Sequence, residues 1–192
     1  MSHRYGGDRQ LLYSLYLSQS LYLLVGLGLI RFAQGLPAAS WGQLFLPLSP
    51  DVITLPLLFV ALAGAYDWMM NRRFPKAFRD ESGVTQQLFT DRPIWHILLM
   101  SAVIGLCEEV LFRLAIQPLL GLFWTSLLFA LMHVNYLRKW ALTLSVFLLG
   151  LGLGALYEVT GSGVAPIAAH ALNNALSAFF LQAGVYNRTE NE

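Results

Sequence analysis

Charge is what this chain has least of. Only 12% of its 192 residues are Asp, Glu, Lys or Arg, about half the roughly 25% of a soluble domain. Hydrophobic residues make up 56%, and the mean hydropathy is +0.56. A soluble globule of this composition would lack polar residues to cover its surface. Disorder is excluded by the same numbers, because disordered chains are polar and poor in aromatics. The net charge of +1 creates no field that would gather nucleic acid or acidic substrates, so no nucleic-acid partner is expected. The single cysteine, Cys107, cannot form an internal disulfide. Placed in an apolar helix, it reads as a small buried filler. Arg4 and Arg9 precede the first apolar segment, but no small-residue cleavage site follows, so that segment is read as a retained span rather than a signal peptide. Several motifs are missing too. There is no HExxH, no ExxH of the carboxylate-bundle type, no serine in a nucleophile elbow and no transporter-like internal repeat. The Gly150–Gly152–Gly154 string has no Rossmann or P-loop context and reads as small residues at a close helix contact.

What the chain does have is apolar blocks about as long as a bilayer is thick, roughly 20 residues each. The expected fold is an all-α polytopic membrane bundle, one domain over residues 1–192, with about six spans. Residues 1–9 are read as polar and mobile. The spans fall at 11–30, 52–70, about 94–120, 123–137, 140–157 and 164–184. Residues 31–50 form a loop lying partly on the membrane surface, with Trp41 suited to the interface. Residues 71–92 form a basic cytoplasmic linker, and the tail from Tyr186 is polar. The third block is long for one crossing, and Pro118 and Gly121 are its candidate stops. Arg4 and Arg9, then Arg72, Arg73, Lys76, Arg79 and Arg92, then Arg138 and Lys139, then Arg188 all fall on one side of such a bundle. Arg31 is left on the other side and Arg113 inside. The positive-inside rule then puts both termini in the cytoplasm or its topological equivalent. The expected location is a cell membrane, either a bacterial plasma membrane or an organellar or thylakoid one.

One stretch departs from this apolar background. Ile104–Pro118 reads IGLCEEVLFRLAIQP, with two acids and an arginine inside a span. An ionisable residue at membrane depth is by default a functional-site hypothesis that needs a partner. Residues four apart share a helix face, so Glu109 pairs with Arg113 and Glu108 is left as the less compensated acid. A carboxylate in a low-dielectric pocket has a raised proton affinity, as a general base or acid near neutrality needs. Spacing alone allows the two glutamates to exchange roles. His133 lies four after Phe129, and His170 four before Asn174. Imidazoles at this depth must satisfy their ring nitrogens. They can position a water or donate to a developing oxyanion, as can the Asn174 carboxamide. A carboxylate, two imidazoles and a carboxamide on three helices suffice for hydrolysis. His3 and His96 are expected to do no chemistry, while Asn135 and Asn173 are candidates for hydrogen bonds across helices.

Weighed against this is a purely structural role, above all for Glu109 and Arg113, since a buried ion pair can serve only to orient helices. Two histidines and two glutamates could ligate zinc, but the histidines stand on separate segments. A metal-independent, glutamate-activated water is therefore preferred, with no cofactor and no metal. A zinc-dependent protease of the same site, a non-catalytic immunity or scaffold protein, and a proton-relay transporter are the alternatives.

Glu108-Glu109-Val110-Leu111-Phe112-Arg113 resembles the EExxxR motif of the CAAX prenyl protease and bacteriocin-processing family of membrane proteins. Phe129–His133 resembles its FxxxH motif and His170–Asn174 its HxxxN motif. The three occur in the family's order, within a motif-bearing core at 95–182. Where the family usually has glycine after the arginine, this chain has Leu114. The resemblance implies an all-helical intramembrane endopeptidase of glutamic type. Glu108 and His133 would activate water, His170 and Asn174 would stabilise the oxyanion, and Glu109 and Arg113 would support the site. The implied partners are the lipid bilayer and a membrane protein or peptide substrate, prenylated or bacteriocin-like.

Overall fold

A computed structural model describes all residues except Met1, Pro47, Arg79, Glu81 and 186–192, with backbone only for residues 2–8. The polar tail, Arg79 and Arg188 of the charge count, and the His3 side chain therefore lie outside the described residues. Among the described residues the chain is all-helical and has no strand. The helices are α1 (Ser2–Phe32), α2 (Asp51–Arg73), α3 (Pro75–Phe78), α4 (Val84–Phe89), α5 (Ile94–Glu109), α6 (Gln117–Met132), α7 (Trp140–Thr160) and α8 (Val164–Gln182). Among the described residues, four stretches are long and apolar enough to cross a membrane: Arg9–Phe32, Asp51–Arg73, Trp140–Thr160 and Val164–Gln182. Their outward faces carry bare apolar side chains, such as Leu17, Leu24, Ile53 and Leu62, as a lipid-facing surface requires. α1 begins at Ser2, within the residues read as polar and mobile.

The third and fourth apolar blocks form one winding run. α5 passes into a π-helical segment, Val110–Ile116, which passes into α6. π-helical turns are rare and cluster at functional sites; this one contains Arg113. Pro118 has no amide hydrogen, so the Leu114 carbonyl one turn back has no helical donor from it. Gln34 Nε2 donates to that carbonyl at 2.7 Å and to Ala115 O at 2.8 Å. At Gly121 the backbone turns to φ 78°, ψ 170° and breaks the run, a conformation open to glycine. Of the two stops read from sequence, Gly121 is thus the one that bends the chain.

α5 packs along α8, α6 along α7, α2 across α8 and α7, and α1 across the π-helical segment and α5. The α5–α8 contact is close because Gly105 has no side chain. A Cβ there would lie 3.0 Å from Ala171 N and 3.1 Å from Ile167 O, backbone atoms that cannot yield. These atoms flank His170 in sequence, so this contact sets the distance from the acid pair to that histidine. Gly105→Ala is expected to lower stability by about 1–3 kcal/mol, read as a drop in thermal unfolding temperature in detergent. The α7 glycines serve the contact role expected of them: Gly150 faces Ser126 and Phe129 of α6, and Gly154 faces Leu122 and Gln117.

The basic linker is more ordered than a surface loop. Leu88 and Phe89 of α4 are buried with Ile97, Met100, Ala178 and Leu181. Gln182 Nε2 holds the following turn through Phe89 O, Thr90 O and Arg92 O at 2.9, 3.0 and 3.0 Å. Apolar side chains within a polar stretch anchor it. Burial pushes the Asp80 carboxyl up, but hydrogen bonds from Ser82 and Thr85 outweigh this and hold it below the usual range. The 31–50 loop is pinned as well: Gly163 N donates to Leu44 O and Ser162 Oγ to Phe45 O.

Candidate active site

Glu108 and Glu109 end α5, and Arg113 follows in the π-helical segment. Glu109 and Arg113 are fully buried, and Glu108 is 6% exposed. The pair expected from the spacing is present: Arg113 Nε donates to Glu109 Oε2 at 3.0 Å. The guanidinium also lies 5.0 Å from the Phe129 ring centre and 6.0 Å from that of Phe112, whose faces favour a cation. The other oxygen of Glu109, Oε1, meets His170 Nδ1 at 2.8 Å. Glu109 thus ties the second half of the motif to α8. A carboxylate only accepts, so His170 donates from Nδ1. That contact turns His170 Nε2 toward Glu108, whose Oε2 is 3.9 Å away.

Glu108 has two unlike oxygens. Oε1 accepts Nε2–H of the buried Gln19 at 3.1 Å. Oε2 is buried with no hydrogen-bond partner among the described residues. Glu108 lines a cavity of about 1360 Å³, together with Gln19, Tyr22, Phe112, His133, His170 and Asn174.

His133 stands just past the end of a helix rather than within one. α6 ends at Met132, and His133 adopts φ −85°, ψ 59° before a short 3-10 turn at Val134–Tyr136. The ring itself closes the helix: Nδ1 donates to Phe129 O at 2.8 Å, since a carbonyl only accepts. In the neutral ring this leaves Nε2 as an acceptor. Asn174 stands half-buried one turn beyond His170. Glu108, Glu109, Arg113 and His170 therefore form a directly connected cluster, and His133 and Asn174 stand on the wall of the same cavity. Among the described residues, no group of three or more His, Cys, Asp or Glu side chains is arranged to hold a metal ion.

Two cavity residues escaped the sequence reading. Gln19 belongs to none of the three motifs and carries no charge to single it out within the first apolar block. Asp67 of α2 also lines the cavity, and the rule that singles out Glu108, an acid within an apolar span, would have found it. Of the residues from which no chemistry is expected, His96 lies 3.3 Å from the Tyr16 hydroxyl and stacks on Trp95, and Cys107 is buried.

The fold and this cluster define a class: an all-helical membrane protein with a glutamate–histidine–arginine centre sunk into its bundle. The motif-bearing segment, residues 90–176, matches the model of a family described as type II CAAX prenyl endopeptidase Rce1-like, and is similar to it over that stretch. Among curated proteins, the uncharacterized protein YpbD of Bacillus subtilis (strain 168) is 37% identical over 112 residues. That alignment covers 58% of this chain and 59% of the relative, so the chain spans well under two thirds of that protein's length. No solved structure matches the chain.

Proposed function

We propose that this chain is an intramembrane endopeptidase that hydrolyses a peptide bond of a membrane-associated substrate through a water activated by Glu108. The observation that carries the reading is the division of labour at Glu108, a residue of the cavity lining: one oxygen anchored by Gln19, the other buried without a hydrogen-bond partner among the described residues and 3.9 Å from His170 Nε2. The water would sit between Glu108 Oε2 and His133 Nε2. As it attacks the scissile carbonyl carbon, its proton passes to Glu108. The carbonyl oxygen becomes an oxyanion, met by His170 and Asn174. With Nδ1 committed to Glu109, His170 donates from Nε2 only as the doubly protonated ring, with the neighbouring carboxylates as counter-charges. When the tetrahedral intermediate collapses, the C–N bond breaks and the proton on Glu108 goes to the leaving amine. Glu109 and Arg113 hold the histidine in place.

The bundle would cross a cell membrane six times with both termini in the cytoplasm, and the 95–182 core would carry the chemistry. The family's description supports a lipidated substrate such as a prenylated peptide, and a bacteriocin-like peptide has the same membrane-bound character. The test is cleavage of a membrane-proteome digest by the purified protein in lipid, with and without a strong chelator. The expected result is cleavage that survives chelation. Cleavage lost with chelator and restored by zinc would instead make Glu108, His133 and His170 metal ligands.

A further inference from the structure

We infer that Gln19, on the first helix and outside the segment that matches the family, is a positioning residue for Glu108. The inference rests on the function proposed above and adds to it a residue that none of the three motifs contains.

Three observations carry it. Gln19 is 4% exposed although it lies on the least enclosed of the spanning helices, so its amide is turned inward. Its Nε2 donates to Glu108 Oε1 at 3.1 Å across 89 residues of sequence. Its own Oε1 is buried with no partner among the described residues. A buried amide oxygen left unpaired is costly, so a packing role alone would be better served by an apolar side chain. As a partner for a carboxyl that gains and loses a proton, however, the amide suits both states. Its N–H donates to the carboxylate, and a half-turn of the amide presents Oε1 to the acid's O–H. By holding Oε1, Gln19 fixes the Glu108 side chain and leaves Oε2 as the oxygen that takes the proton from water. Other groups near this carboxylate are Tyr22 on α1, Glu109 and Arg113 on its own run, His170 on α8, and His133 on the cavity wall. Among the described residues, Gln19 is the side chain that donates a hydrogen bond to Glu108.

Two variants test this in the full-length protein in lipid. Gln19→Met keeps the length of the side chain and removes both polar atoms. It is expected to lower kcat about tenfold or more, the scale of a hydrogen bond to a charged group, with KM and thermal unfolding close to wild type. Gln19→Glu is the isosteric control. Its introduced carboxyl donates only while protonated, so cleavage should persist at acid pH and fall as the pH rises and two carboxylates come to face each other. A role in packing alone would leave the pH profile unchanged. A second readout does not need turnover: labelling of Glu108 in the resting protein by an apolar carbodiimide, which attacks protonated carboxyls, followed by mass spectrometry. Loss of the donor in Gln19→Met should raise labelling at fixed pH about tenfold. Wild-type labelling and an unaltered pH profile in folded variants would overturn the assignment. If the wild type cleaves nothing, the peptidase reading fails, and the labelling still decides whether Gln19 governs Glu108.

Discussion

Glu108→Gln is expected to abolish peptide cleavage while the protein still folds. The loss should be on the order of 10³-fold or more, within the range that a positioned general base contributes. Folding should survive for a local reason. The new side chain has the same shape, and its amide oxygen can accept the Gln19 Nε2–H that Glu108 Oε1 accepts now. No buried charge is stranded, because the ion pair of Arg113 is with Glu109 and not with Glu108. An amide has no lone pair basic enough to take a proton from water, so the chemistry alone should fail. The measurement is the cleavage rate set beside the thermal unfolding temperature. Unchanged cleavage would remove Glu108 from the mechanism.

Arg113→Leu should do the opposite, damaging the fold before the chemistry. Glu109 is fully buried and divides its oxygens between Arg113 and His170. Without the guanidinium, its charge has the histidine alone to answer it. Removing one partner of a buried ion pair costs about 3–5 kcal/mol. That is a large part of the roughly 5–15 kcal/mol by which a domain is stable, so folded yield in detergent should fall sharply. The aromatic faces of Phe112 and Phe129, which now meet the cation, cannot compensate a lone carboxylate. Adding Glu109→Gln to Arg113→Leu removes the stranded charge and should recover part of the loss, which a double-mutant cycle would resolve. Wild-type yield and thermal stability in Arg113→Leu would show that the pair does not hold the bundle together.

Much of this protein is legible along the chain because the signals are local. Apolar blocks separated by short polar turns define helices, and among the described residues four have the length and composition to cross a bilayer. Glu109 and Arg113 stand four apart and meet as that spacing implies. The three motifs carry the resemblance to the family without any coordinates. What a local rule leaves out are contacts made elsewhere. The composition of 71–92 suggests an amphipathic or irregular linker on the membrane surface, and only the packing shows Leu88 and Phe89 buried against α5 and α8. The apolar run around His133 suggests a helix interior, yet the ring of His133 takes the Phe129 carbonyl and closes the helix.

Sequence by itself therefore determined the class: a helical membrane protein, its acid pair, and the histidines and asparagine in their order. Periodicity, hydropathy and charge placement are properties of neighbouring residues, and a linear reading captures them. Tertiary structure decided which groups touch. His170 reaches Glu109 across 61 residues of sequence, and Gln19 reaches Glu108 across 89. Contacts at such separations follow from how α1 and α8 pack against α5, with the close approach at Gly105 and the widened π-helical turn setting the register. Only that packing distinguishes the oxygen of Glu108 that is anchored from the one left bare.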